Sequence, residues 1–300
     1  MGFLITNGTN SHERDLINTY AVALDTPSGE APKINEPLWQ QHCRESAANP
    51  LYILNRLKNP DNRLSFRNSG GLFNGGVCWW HSRLTRIAQY LAIFNPNEKP
   101  VTDDQAYAQV KRLRQGRPTT INGFKNLYDF SLVHQAAIQK NLEEWQILNG
   151  GFQLGFLDGL TGSTNVPSTE LKSIMDETYK IFQNTQKPLY QVLQLPGILA
   201  HAWLITDMQP TPTGYNFSVV DSNYSYLQNW DYQNGSTGFY YGSMPFVAYT
   251  TTRGVAEEVS LSQRLDETCS QTKSENTIDS SNSWQDLDTE LDAKSNFIQL

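Results

Sequence analysis

Between residues 74 and 91 the sequence passes from a turn that resists helix to a run that calls for one. Asn74-Gly75-Gly76-Val77 is glycine-rich, and then Trp80, Leu84, Ile87, Ala88 and Leu91 recur at spacings of three and four, the period of one helix face. Asn95-Pro96 closes the pattern. Cys78 therefore falls where a glycine turn hands over to a helix N-terminus. N–H groups without intrahelical acceptors lie there, at the positive end of the helix dipole. Both favour thiolate, the nucleophilic form of cysteine. Gly75 and Gly76 leave room for a substrate backbone beside the sulfur, and Trp79 adjoins it. Most cysteines are small buried hydrophobes, so the meaning of Cys78 turns on residues farther along the chain.

Helical patterns dominate up to about residue 183. Residues 50–57 read as a short helix. Thr102 and Gln105 stand at the spacing of a capping box, which predicts a helix to about Gln115. Tyr128 to Leu148 reads as one longer helix, and Ser168 to about Gln183 as another, striped by Leu171, Ile174, Met175, Tyr179 and Phe182. The character then changes. Leu189–Leu195, Ile198–Ile205 and Tyr215–Val220 are strand-like, the last two joined through Pro210-Thr211-Pro212-Thr213-Gly214. Gly238–Tyr241 and Phe246–Thr251 are further candidates. Helices first and antiparallel strands second make an α+β chain. The expected organisation is an N-terminal extension over 1–48, a catalytic domain over 49–254 and an acidic, flexible tail over 255–300. In that tail apolar residues thin out, and acidic residues far outnumber Arg264, Lys273 and Lys294.

A thiolate nucleophile needs a base, and the base needs an acceptor that fixes its ring. There are five histidines. His12 and His42 lie in the extension, His134 sits in a helical run, and His81 is one turn deeper than Cys78 along the same helix. His201 differs, because it interrupts the apolar strand Ile198–Ile205, where an unpartnered histidine is costly. With a hairpin turning at Thr211–Thr213, His201 comes opposite the region of Asn223, and Asp221 lies one pleat away on the same face. An acceptor thus falls beside the histidine by strand geometry.

Here a resemblance enters. Cys78-Trp79-x-x-Ser82 resembles the nucleophile run of papain-like cysteine proteases, and His201-Ala202 resembles the His-Ala at their base. Asp221-Ser222-Asn223-Tyr224 is similar to the Asp-x-Asn run of the bacterial effector branch, the YopT/AvrPphB-type proteases. The likeness covers about residues 70 to 252. It implies a papain-like fold, in which an N-terminal helical subdomain carries the nucleophile helix and a C-terminal antiparallel sheet carries the His and Asp. It implies a virulence-type cysteine peptidase with Cys78 as nucleophile, His201 as base and acid, and Asp221 as orienting carboxylate. Leu72 stands where these enzymes place a glutamine six residues before the cysteine. Asn74 is the nearest amide and would serve as oxyanion donor with the Cys78 N–H. Gly75, Gly76, Trp79 and Asn223 are the candidate substrate-binding residues.

A net charge of −7 argues against nucleic acid as a partner. No apolar run is long enough to span a membrane, and the first residues lack the pattern of a signal peptide. The expected partner is a protein or peptide substrate, with no metal and no cofactor, and the composition is compatible with secretion or delivery to another cell. Cys43, Cys78 and Cys269 are too few and too widely spread for a disulfide framework, although one pair can form. Two rivals stand beside the peptidase. One is a transglutaminase-like acyltransferase or deamidase, for which Gly76-x-Cys78-Trp79 and the same triad order would serve. The other is a non-catalytic binding module built on the aromatic run Tyr224–Tyr241.

Overall fold

A computed structural model describes residues 36–69, 76–148, 163–196, 200–273 and 286–288. In chain order it runs α1 (Glu36–Ala48), α2 (Tyr52–Lys58), α3 (Cys78–Leu91), β1 (Ala92–Asn95), α4 (Asp103–Arg114) and β2 (Thr119–Asn122). There follow α5 (Leu127–Val133), α6 (Gln135–Trp145), α7 (Ser168–Thr185), β3 (Leu189–Gln194), β4 (Ala200–Thr211) and β5 (Gly214–Asp221). Last come β6 (Gln228–Gln233), β7 (Phe239–Tyr241), β8 (Met244–Thr250) and α8 (Thr252–Lys273). The chain is α+β: helices precede a six-stranded sheet of order β6-β5-β4-β3-β8-β7, and every pairing in it is antiparallel.

The predicted helices form for local reasons. Thr102 and Gln105 make the full capping box, with Thr102 N–H donating to Gln105 Oε1 at 2.9 Å and Gln105 N–H to Thr102 Oγ1 at 3.4 Å. On α3, Leu84, Ile87 and Leu91 are at most 1% exposed, each contributing about 1.5–3 kcal/mol by leaving water. The helix stops at Leu91, short of Asn95, because Ala92–Asn95 becomes a short strand in parallel register with Thr119–Asn122. The long helix expected over 128–148 is broken at His134. That residue closes α5 and opens α6, and its Nδ1 is 2.6 Å from Asp103 Oδ1 at the start of α4.

In the sheet, Asp221 pairs with Trp203 and Val219 with Ile205; after a bulge at Thr206 the hairpin runs out to Thr211 opposite Gly214. Gly214 sits at φ +159°, where a Cβ would collide with Tyr232 O, so only glycine lets β5 pass β6 at that corner. Strand β6 has no counterpart in the sequence pattern. Its aromatics are part of the core: Tyr232 is fully buried and Trp230 packs 5.4 Å from the Trp203 ring. Trp203, Phe217, Phe246 and Val219 fill the sheet face that packs on α7 with Met175 and Leu171. Val192, Ala202, Leu204 and Val220 gather with Leu57 of α2 and Tyr190, against Trp79.

Two domain boundaries are corrected. Residues 36–48 of the expected extension form α1, whose Trp39 is fully buried in the helical core beside Ile53 and Leu84; residues 1–35 lie outside the described residues. Residues 255–273 of the expected flexible tail belong to α8. Leu261 and Leu265 enter the same core, and the rest of the inward face is charged. Glu257 accepts from Arg83 Nε at 2.8 Å and also pairs with Arg86, while Tyr90 donates to Glu258. Arg264 donates to the carbonyls of Gln115 and Gly116, at 2.9 Å each, beyond the C-terminus of α4. Farther on, Leu287 is fully buried, and Asp288 accepts from Arg83 at 2.6 Å and from Trp145 Nε1 at 2.5 Å. A low apolar density suggested disorder; buried arginines on α3 instead give these carboxylates partners. A disulfide joins Cys43 of α1 to Cys269 of α8. Among the described residues no helix is long and apolar enough to cross a membrane.

Candidate active site

The first turn of α3 carries Cys78. The first intrahelical bond runs from His81 N–H to Val77 O at 2.8 Å, so the N–H groups of Cys78, Trp79 and Trp80 precede it, in the part of a helix that has no acceptors of its own. Cys78 is 7% exposed. Its Sγ lies 3.8 Å from the carbonyl of Ala200, the first residue of β4 and the neighbour of His201, close enough for electrostatic coupling to the His201 ring. One turn along, Ser82 Oγ donates to Ala202 O at 3.3 Å, which ties α3 to the same strand.

His201 Nε2 donates to Asp221 Oδ1 at 2.7 Å. Asp221 is 1% exposed and fully used: its Oδ1 also accepts from the Asn223 backbone N–H at 2.8 Å, and its Oδ2 from the Tyr241 hydroxyl at 2.7 Å. With Nε2 turned to Asp221, Nδ1 is the ring nitrogen left for the sulfur. Burial alone would depress the His201 pKa. Electrostatic coupling to Cys78 and the hydrogen bond and charge of Asp221 reverse that and raise it to about 10. Burial pushes Asp221 up, but hydrogen bonds and charge from His201, the Asn223 N–H and Tyr241 outweigh it, so Asp221 is held below the usual carboxylate value. The group is therefore arranged to favour the protonated form of His201.

His81 does not join it. Its Nε2 donates to the Phe66 carbonyl at 3.0 Å, and burial lowers its pKa to about 4. Among the substrate-binding candidates, Trp79 is half-buried at the helix start and stacks on Trp80 at 5.9 Å. Asn223 is exposed, with Nδ2 at 3.4 Å from His201 Nε2. Gly76 is packed against the Asn68 side chain. Asn74 and Gly75 lie outside the described residues, as does Leu72.

Comparison with known protein families, curated proteins and solved structures finds no match. The geometry of this chain alone must carry its reading.

Two residues that sequence reasoning passed over touch the site. Tyr241 binds the far oxygen of Asp221 while its ring stacks on Phe246 at 4.7 Å. In the sequence it is only part of a candidate strand, and no local motif marks it. Asn68 donates its backbone N–H to Ser222 O at 2.8 Å and accepts the Val77 N–H at 2.6 Å. Among the described residues, no group of three or more His, Cys, Asp or Glu is placed to hold a metal ion.

Proposed function

We propose that this chain is a papain-like cysteine peptidase, similar to the bacterial effector branch, that hydrolyses a protein or peptide amide through Cys78, His201 and Asp221. The observation that carries the reading is the convergence of Cys78, at a helix start and 3.8 Å from the carbonyl of Ala200, with the adjacent His201, whose ring is held by Asp221 at 2.7 Å. Sulfur, imidazole and carboxylate in that order can activate a nucleophile, return a proton to the leaving group and hold the ring in register.

The chemistry follows from those roles. The Cys78 thiolate attacks the scissile carbonyl carbon, and the oxygen of that carbonyl takes the negative charge. N–H groups of the α3 first turn lie on the sulfur's side to receive it. Imidazolium His201 gives its proton to the departing amine as the C–N bond breaks, leaving a thioester on Cys78. Neutral His201 then takes a proton from water, whose oxygen attacks the thioester, and the acid product leaves with the thiolate restored. Asp221 keeps Nε2 as a donor throughout, so that Nδ1 faces the reaction. Its three donors, from His201, the Asn223 N–H and Tyr241, keep it ionised and in place.

The same thioester can be taken by an amine instead of water, which is the acyl-transfer reading supported by Gly76-x-Cys78-Trp79. A peptide-amide substrate pool with and without an added primary amine separates the two by product mass. Cys78→Ala should abolish turnover, His201→Ala should nearly do so, and Asp221→Ala should leave a small residue, since an orienting group costs less than the pair it serves. Asn223→Ala should cost less than Asp221→Ala. His81→Ala should retain most activity. Dead His81→Ala with active His201→Ala would overturn the assignment of the base. Absence of any turnover, with Cys78 inert to iodoacetamide, would favour a binding module.

A further inference from the structure

Asn68 lies in the segment before α3, distant in sequence from every group it touches except Gly76 and Val77. Its backbone N–H is held by Ser222 O, so residue 68 is fixed to the loop that follows Asp221. Its side-chain Oδ1 accepts the N–H of Val77, the residue that opens α3 and has no side-chain cap of its own. Its Nδ2 points toward Asn223 Oδ1 at 3.5 Å, and the Asn223 amide in turn stands 3.4 Å from His201 Nε2. Gly76 makes room for this: a Cβ there would collide with Asn68 Nδ2 and lie 2.6 Å from Oδ1. Because residue 68 is held at three points, its amide cannot swing aside without losing contacts on both sides. The same short side chain therefore touches the helix that presents the sulfur and the loop that holds the imidazole's acceptor.

We propose that Asn68 is a positioning residue that locks the Cys78 end of α3 against the Asp221–Asn223 loop and so sets the register of sulfur and imidazole. This rests on the Cys78–His201–Asp221 reading above. It also assigns Gly76 a reason beyond turn geometry: only glycine admits the Asn68 amide at the helix entrance.

The test needs no substrate. With Cys43 and Cys269 paired, the full chain offers Cys78 as its free thiol, and its iodoacetamide alkylation rate is followed from about pH 5 to about pH 9, where thiolate forms without help. The unmodified protein should react well at about pH 6, and His201→Ala should lose that limb. Asn68→Ala should slow the reaction at about pH 6 by about tenfold, within the cost of a displaced reacting group, while staying within about twofold at about pH 9, where an unaided thiol is ionised. Gly76→Ala should reproduce that split. Asn223→Ala should show it too, and the Asn68→Ala/Asn223→Ala double variant should lose no more than the larger single loss, as groups on one path do. A role confined to folding would lower the melting point without separating the two ends of the pH profile, and would overturn the proposal. If Asn68→Ala fails to fold, Gly76→Ala and Asn223→Ala carry the same test. If these variants keep the unmodified profile while His201→Ala loses its low-pH limb, the Asn68 proposal is overturned and the site reading stands. If His201→Ala itself leaves the profile unchanged, both fall.

Discussion

Replacing Asp288 by alanine should cost the fold about 3 kcal/mol, although this aspartate lies in a stretch whose composition suggests a solvated tail. The side chain is buried and takes a charge-assisted bond from Arg83 at 2.6 Å, one from Trp145 Nε1 at 2.5 Å, and a longer one from Arg253 at 3.4 Å. Removing one partner of a buried ion pair typically costs about 3–5 kcal/mol, because the remaining charge keeps its desolvation penalty. The lower end applies here, since Glu257 still faces Arg83 at 2.7 Å. For a chain of 300 residues that corresponds to a fall of about 5 °C in melting midpoint. Circular dichroism on thermal denaturation reads it, with Glu267→Ala as control, which removes a carboxylate from the exposed side of α8. The pH dependence has a definite sign. Burial raises the Asp288 pKa, but Arg83 and its other donors lower it further, to below the ordinary 3.8. A carboxyl with a depressed folded-state pKa contributes fully above its unfolded value and loses that contribution as pH falls through the folded one. The gap between the two proteins should therefore hold at neutral pH and close only below about pH 4. Equal midpoints for Asp288→Ala and Glu267→Ala would refute the docking of this segment.

Three further outcomes rest on named contacts. Burial raises the Glu258 pKa to about 7 against the pull of Arg86 and Tyr90, so its stabilising share is full below 4.5 and lost as pH rises through about 7; Glu258→Gln should therefore melt higher than the unmodified protein at about pH 8, and an equal or lower midpoint would contradict this. Tyr241→Phe removes the donor to Asp221 Oδ2 and should lower kcat/KM about tenfold, the equivalent of a charged hydrogen bond of about 1.5 kcal/mol; full activity would show that Asp221 does not need its third donor. The Cys43–Cys269 bridge closes a separation of 226 residues, so the double alanine variant should lose about 2–4 kcal/mol in denaturant unfolding, and alkylation of the unfolded chain without reductant should add one label rather than three.

Much of the site was legible because it depends on local rules. A glycine turn before a helical stripe places Cys78 at a helix start whatever surrounds it. A hairpin centred on Thr211–Thr213 sets a register by counting, and the period of two then puts Asp221 on the His201 face. The observed pairing of Trp203 with Asp221 is that register, but the turn pairs Thr211 with Gly214, and it is the bulge at Thr206 that supplies the one-residue shift. The capping box at Thr102 is likewise a matter of four consecutive residues.

What only the tertiary structure decided shares one physical cause: partners distant in sequence. Nothing near Tyr241 signals that its hydroxyl ends on Asp221, and nothing near Asn68 signals Val77 on one side and Ser222 on the other. The C-terminal segment shows the effect most strongly. A helix whose inward face reads Glu257, Glu258, Leu261, Arg264, Leu265 looks too polar for a core until Arg83, Arg86 and Tyr90 arrive to meet it. By apolar density alone these residues read as part of a flexible tail, because an apolar stripe is the local signal of a buried helix and theirs is thin. Whether that helix is solvated or buried depended on the free energy of desolvating its charges, and that is set by countercharges about 170 residues away.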